Sequence, residues 1–304
     1  MTGGAGFIGS HTVERLVAAG SRVLVIDDRS HACGHPLPAE VELVEADAGS
    51  DVAATALERF RPQAVLHLAS KGGVEKARRD PADHLRRSVA SSVGLFHAAA
   101  GAGARRIVTA SSGGTVYGNP DRLPASERQA PAPVSAYGAG KLAEEVYLGM
   151  LGRLGGVQVL ALRYGNVYGP RQDGTGEAGL VAITCTRLAS GGEPTVHGDG
   201  LQTRDFVYVA DVVEANLSAL SSGRSGVVNV GTGRETTVRE VVETLLQLSG
   251  GQAEITSGPR RGSEVRRVCL DPARAGAWLA WSPATPVARG LQLTLSFFCK
   301  SEGN

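Results

Sequence analysis

Tyr137 and Lys141 stand four residues apart in Tyr137-Gly138-Ala139-Gly140-Lys141, a spacing that places both on one face of a helix. A phenol has a pKa of about 10 and is a poor base at neutral pH. An ammonium one turn away, helped by a cationic nicotinamide, would hold it as phenolate, and Tyr137 would then shuttle a proton to and from an alcohol. A second signal opens the chain, where Gly3, Gly6 and Gly9 recur at three-residue intervals in Gly3-Gly4-Ala5-Gly6-Phe7-Ile8-Gly9. Such glycines let the backbone turn tightly, approach a pyrophosphate and pack the next helix on a sheet, with the anion at that helix's positive end. Either motif alone has a bland reading: a solvated helix face for Tyr-x-x-x-Lys, a flexible turn for the glycines. Together, with Ser111-Ser112 between them, they point to nicotinamide chemistry on an alcohol. Lysine occurs only at 71, 76, 141 and 300, so Lys141 is not one surface charge among many.

The same reading extends to the cofactor's other parts. Asp27 ends an apolar run after the glycines, where a carboxylate accepts both ribose hydroxyls and repels a 2′-phosphate, so NAD is expected over NADP. Asp28 and Arg29 follow at once, and the competing readings are a solvated turn or an arginine that meets a 2′-phosphate. Asp47, beside Ala48, is placed either to touch the adenine or to cap a helix at 51. Phe7, Ile8, Leu68 and Ala69 are expected to line the same cofactor, and His67 reads as a packed or backbone-bonded histidine. Within Ser111-Ser112-Gly113-Gly114-Thr115-Val116-Tyr117-Gly118, a hydroxyl at a strand end would bond a substrate oxygen and relay its proton to Tyr137; Ser112 is preferred to Ser111.

These groups need a frame that brings the chain start and the Tyr/Lys helix together. Apolar runs at Val23–Ile26, Val41–Val44, Ala64–Leu68, Arg106–Thr109 and Val157–Leu162 alternate with helical patterns around 8–19, 51–60, 82–100 and 137–154. This alternation predicts an α/β, Rossmann-type, doubly wound parallel sheet. After Tyr164 loops rich in Gly, Pro and Asp surround a helix near 178–190, a strand at Val227–Val230 and a helix from Thr237 to Leu248. Residues 1–164 are therefore expected to bind the cofactor, and 165–304 mainly the substrate, with some segments returning to the first core. One expectation conflicts with the frame: only Met1 and Thr2 precede Gly3, too few for the central strand that such a motif follows. A truncated or misassigned start is expected over a sheet lacking that strand, which would leave unpaired backbone groups on its neighbours.

A chain of 304 residues with net charge +1 is an ordinary globular protein with no general attraction for nucleic acid. Cys33, Cys185, Cys269 and Cys299 lack metal or disulfide spacing, no apolar run has membrane-spanning length, and no secretory leader opens the chain. No metal is expected, and a reducing cytoplasm fits best.

Beyond these readings, five ordered segments resemble the extended short-chain dehydrogenase/reductases, and within them the UDP-glucose 4-epimerase group. They are Thr2–His11, the Thr115-Val116-Tyr117-Gly118 region, Tyr137/Lys141, Arg163-Tyr164-Gly165-Asn166-Val167-Tyr168-Gly169-Pro170-Arg171, and Gly198–Asp211 with its Gln202-Thr203-Arg204-Asp205. The resemblance covers nearly the whole chain. It implies a tightly held NAD, a nucleoside-diphosphate sugar substrate, epimerisation through a transient 4-keto sugar, and a homodimer built from the helices near 82–100 and 137–154. By the same resemblance Asn166, Arg204 and Arg261 contact the substrate diphosphate, for which the guanidinium fork is suited. A salt bridge to Asp205 or Asp211 is the competing role for Arg204. Arg260-Arg261-Gly262-Ser263 departs from the family's usual Arg-Pro-Gly, leaving Arg261 equally open.

Other departures bear on the site. The family's third serine falls on Gly113, Ser88 stands where Asn is frequent, and Lys71-Gly72-Gly73 replaces the usual cofactor-side residues. Val268 falls near the position that gates bulk at the sugar's 2-substituent, which would admit an N-acetylated sugar. A dehydratase would need an acid and base where Gly114 and Thr115 stand, whereas a UDP-glucuronate 4-epimerase or a 4-reductase would use the same residues, with Arg171 or Arg187 as carboxylate partners. A non-catalytic dinucleotide sensor is the alternative of another class.

Overall fold

A computed structural model describes residues 1–175, 179–251, 253–259 and 265–301. Its strands are β1 (Leu24–Asp27), β2 (Glu42–Glu45), β3 (Ala64–His67), β4 (Arg106–Ser112), β5 (Gln158–Tyr164), β6 (Asn166–Tyr168), β7 (Thr195–His197), β8 (Thr203–Arg204), β9 (Phe206–Tyr208), β10 (Gly226–Val230), β11 (Thr236–Thr237) and β12 (Thr256–Gly258). The first-half helices are α1 (Phe7–Ala18), α2 (Asp51–Phe60), α3 (Val74–Arg79), α4 (Pro81–His84), α5 (Ala90–Gly101), α6 (Gly113–Val116) and α7 (Ala136–Gly155). The rest are α8 (Leu180–Ala189), α9 (Val209–Ser221), α10 (Val238–Leu248), α11 (Ala273–Leu279) and α12 (Val287–Ser301).

Strands β3, β4, β5 and β10 form one parallel run in the order β10-β5-β4-β3, and β1 and β2 pair in parallel beside it. Alternation along the strands sends neighbours to opposite faces. Val65, Ile107 and Val159 join one core with α2 and α5, whereas Leu66, Val108 and Leu160 join another with α9 and α11. A buried side chain of this size contributes about 1.5–3 kcal/mol, which is why near-continuous apolar runs became central strands.

The gap between β1 and β3 is where the expected central strand belongs, and Met1-Thr2 occupies it. Thr2 forms parallel bridges to Ile26 on one side and His67 on the other. Its N–H donates to Leu66 O at 3.0 Å, its carbonyl accepts from Leu68 N at 3.1 Å, and Met1 O accepts from Ile26 N at 2.8 Å. The reading of a sheet without this strand is thus corrected: Met1-Thr2 lies in the gap and hydrogen bonds both neighbours next to the glycine turn.

The helix expected over 82–100 is interrupted. Asp80 caps α4, Pro81 begins it, and Leu85–Val89 adopts a π-helical turn before α5 continues. That wider turn lies beside the site, a frequent place for such turns. Helix α7 is unbroken: the Ser135 hydroxyl accepts from Gly138 N at 3.1 Å at its start, and Gly156, at φ +66°, ends it. Beyond the main sheet, β6 pairs with β9, β7 with β12 and β8 with β11. Helices α8, α10 and α12 and strands β6 and β9 bury Tyr168, Val181, Phe206, Leu245 and Leu291 together.

Candidate active site

A cleft of about 650 Å³ lies over the carboxyl ends of β1, β3 and β4, lined among others by Gly3, Gly6, Asp27, Asp47, Tyr137 and Lys141. The glycines that open the chain form its floor. Gly3 sits at φ +71°, and a Cβ on Gly9 would lie 1.9 Å from Gly3 O, so only glycine allows α1 to start this close to the turn. Gly6 differs: a Cβ there would meet Gly3 O at 3.4 Å and His31 O at 3.6 Å, ordinary contacts that a side chain tolerates. No side chain caps α1 and no acidic residue occupies its first turn. Its amide groups and positive dipole end therefore remain for an anion, as a dinucleotide pyrophosphate requires. Phe7, Ile8, Gly9, Ala48, Leu68 and Ala69 also line the cleft.

Asp27 is buried at the end of β1 and accepts from Ala5 N at 2.9 Å and Arg29 N at 2.7 Å. These bonds fix the carboxylate at the cleft wall, with lone pairs remaining for hydroxyl donors. Arg29 is exposed and lies outside the cleft lining. The helix-cap reading of Asp47 is corrected, since Ser50 caps α2; Asp47 instead accepts from Ser91 Oγ at 2.6 Å and pairs with Lys71 at 2.9 Å. Lys71 also bonds Asp28, so the residue that departs from the family pattern links the ends of β1 and β2.

Tyr137 and Lys141 face the cleft from α7. Burial raises the Tyr137 pKa, an effect that Lys141 opposes and Glu144 reinforces. Burial pushes Lys141 down, but Glu144 and Tyr137 more than reverse this and hold it above the ordinary lysine value. Its Nζ donates to Glu144 Oε2 at 2.9 Å. His67 is bonded to side chains rather than backbone, with Thr2 Oγ1 at 2.6 Å from Nδ1 and Ser92 Oγ at 2.9 Å from Nε2. Burial, then the nearby Lys141 charge, drives its pKa down to about 3, so it is neutral.

The two serines separate clearly. The Ser111 hydroxyl donates to Glu145 Oε1 at 2.5 Å, and Glu145 is clamped by Arg163 at 2.9 and 2.6 Å. Ser112 lies on the next position of β4, and a Cβ on Gly114 would sit 3.9 Å from Ser112 Oγ, 3.7 Å from Asn166 Oδ1 and 3.9 Å from Val268 Cγ1. Ser112, Asn166 and Val268 thus surround one spot, although these three lie outside the cleft lining and Ser111 belongs to it. A serine at Gly113, where the family has its third, would put its Cβ 2.5 Å from Leu270 Cδ1, so the buried Leu270 side chain would have to move.

Arg204 stands on β8 outside the cleft lining, donating from Nη1 to Thr203 O at 2.8 Å. The Asp205 carboxylate accepts from Thr232, Gly233 and Leu270, and that of Asp211 from Thr285. Arg261 lies outside the described residues. Arg171 pairs with Glu14 at 2.9 Å in the cleft wall, and Arg187 bonds Thr195. Glu144, Glu145, Arg163 and Ser92 escaped the sequence reading; the available signal was Glu144 three residues beyond Lys141, on the same helical face.

The profile of the NAD dependent epimerase/dehydratase family matches residues 1–231. A UDP-glucose 4-epimerase of Mycolicibacterium smegmatis is 40% identical over 304 residues, covering 98% of this chain and 97% of that protein. The crystal structure of UDP-glucose 4-epimerase with UDP-glucose from Thermotoga maritima superposes with a TM-score of 0.95 at 38% identity, covering 99% of this chain and 98% of that one. The Thermus thermophilus UDP-glucose 4-epimerase complex with NAD gives 0.93 at 38% identity, covering 98% and 97%. With a glycine cradle, a Tyr/Lys pair on one cleft and relatives matched along its whole length, the chain belongs to the NAD dependent epimerase/dehydratase family.

Proposed function

We propose that the protein interconverts UDP-glucose and UDP-galactose by epimerisation at C4, with NAD as its bound cofactor. The observation that carries this reading is that the glycine cradle and the Tyr137/Lys141 face of α7 line one cleft. The relatives named above supply the substrate class. Gly3, Gly6, Phe7, Ile8 and Gly9 would hold the pyrophosphate, Asp27 the adenosine ribose, and Asp47 with Ala48 the adenine. When bound, NAD supplies an acceptor for the hydride of C4 and returns it, leaving no net redox change.

Tyr137 takes the proton of the 4-hydroxyl and later gives it back to the same oxygen after the 4-keto sugar has presented its other face. Lys141 steadies the phenolate. Ser112 bonds the sugar oxygen and relays its proton, the role that Ser111 cannot fill while Glu145 holds its hydroxyl. Asn166, beside Ser112, orients the substrate, with Arg204 and Arg261 on the diphosphate. Arg171 is engaged by Glu14 and Arg187 by Thr195, so neither favours a glucuronate carboxylate. A homodimer through α5 and α7 is part of the proposal: Val146, Tyr147, Met150 and Leu154 leave an apolar strip exposed on α7.

Proton NMR of UDP-glucose incubated with the NAD-loaded protein tests the reading. Conversion to UDP-galactose without accumulation of reduced cofactor is expected; absence of conversion with NAD bound would overturn it.

A further inference from the structure

Tyr137, Lys141 and Glu144 follow one another at i, i+4 and i+7 on α7 and form a single stripe directed inward. Glu144 is 2% exposed, and its carboxylate is the group that the Lys141 ammonium touches, at 2.9 Å. A cation placed beside a phenol lowers the cost of the phenolate. Here that cation already has an anion. An ammonium and a carboxylate in contact amount to a dipole, and the field that reaches Tyr137 is the difference between them.

We propose that Glu144 is a positioning residue which holds the Lys141 ammonium and cancels much of its charge, keeping Tyr137 protonated until further positive charge enters the cleft. The inference rests on Tyr137 as the proton-transferring group of the proposed reaction, although its test needs no turnover. It ties proton abstraction to the oxidised, cationic state of the cofactor: Tyr137 is a base beside positive charge and an acid without it.

Among the described residues the surroundings add no unpaired rival anion. From β3 comes His67, held neutral. From α4 comes the His84 ring, 5.9 Å from that of Tyr137, its pKa lowered by burial and by Lys141. From α5 comes Ser92, whose hydroxyl donates to Ser88 O at 2.8 Å and bonds His67 Nε2 at 2.9 Å; burial raises the Glu144 pKa and the Lys141 ammonium opposes that rise. Tyr164 of β5, a wall of the same cleft, is bonded to Asn216 at 2.5 Å and burial pushes its phenol up. Glu145, next on α7, is neutralised by Arg163 of β5 through two hydrogen bonds. The direct Coulomb effects on Tyr137 have the required signs, Lys141 lowering its pKa and Glu144 raising it.

The experiment is a tyrosinate absorbance titration of the cofactor-free protein, with Tyr137→Phe subtracted to isolate this one of the six tyrosines. Glu144→Gln strands a buried ammonium whose available counter-ion is the phenolate, and Tyr137 should ionise at least ~1 pH unit lower. Glu144→Asp keeps the charge and should titrate near the wild type. Should Glu144→Gln fail to fold, the step from Lys141→Met to Lys141→Met/Glu144→Gln removes the same anion with no stranded cation; Tyr137 must ionise at lower pH in the double variant than in Lys141→Met. An unchanged Tyr137 titration in the comparison that folds overturns the inference. That failure is distinct from failure of the proton-transfer role on which the inference rests, which full epimerase activity in Tyr137→Phe would show whatever the titration.

Discussion

Lys141 and Lys71 line one cleft and each is held by carboxylates, yet one pair is buried and the other is not. The Lys141 side chain is 5% exposed against Glu144 at 2%, whereas Lys71 is 26% exposed beside Asp28 at 30% and Asp47 at 38%. In the dry pair every charge must be matched, because an unmatched one costs several kcal/mol. At the rim water screens the same contact to about 1 kcal/mol or less. The deep pair can therefore govern a proton, while the rim pair links the ends of β1 and β2.

The comparison is broken most directly at Tyr137. Tyr137→Phe keeps the ring and its packing but removes the proposed proton carrier, so turnover should fall about 10²–10⁴-fold with NAD binding retained by fluorescence titration. Lys141→Met should next cost about 3–5 kcal/mol of stability in urea denaturation, since it leaves Glu144 buried without a partner. Adding Glu144→Gln should recover much of that loss; a loss below about 1 kcal/mol in the single variant would mean that Lys141 behaves like a rim lysine.

The pH dependence of stability sharpens the same contrast. Folded His67 stays neutral down to about pH 3, while the unfolded chain protonates it near 6.5. The unfolded state binds more protons between these values, so this contribution is complete above pH 6.5 and is lost at about 1.4 kcal/mol per pH unit as pH falls toward 3. His67→Gln should flatten the decline seen in thermal melts across that window. The smallest effect belongs to Lys71→Met, expected to cost under about 1 kcal/mol, with an NAD affinity change that fades as salt rises.

Much of this arrangement was legible because it depends on local rules. Gly3 and Gly9 announce a backbone that no side chain fits, and the apolar runs of β3, β4 and β5 announce burial on both faces. The four-residue spacing of Tyr137 and Lys141 placed them together, and burial did the rest. Depth was not legible: nothing local says that Glu144 is sealed beside Lys141 while Asp47 stays near water, since that depends on which distant segments cover them. The two serines were ambiguous for a similar reason, because Glu145 reaches Ser111 only once α7 packs on β4. Met1-Thr2 reads as too short for a strand, yet β1 and β3 arrive already spaced to receive it. The π turn at Leu85–Val89 has no proline or glycine to mark it and followed from packing.

The central claim is that hydrogen leaves C4 as hydride and returns within one active site while Tyr137 handles the proton. Incubating the NAD-loaded protein with UDP-glucose deuterated at C4, and examining the product by NMR and mass spectrometry, tests it directly. The account predicts UDP-galactose with the deuterium still at C4; product that has exchanged it for solvent hydrogen would contradict the account.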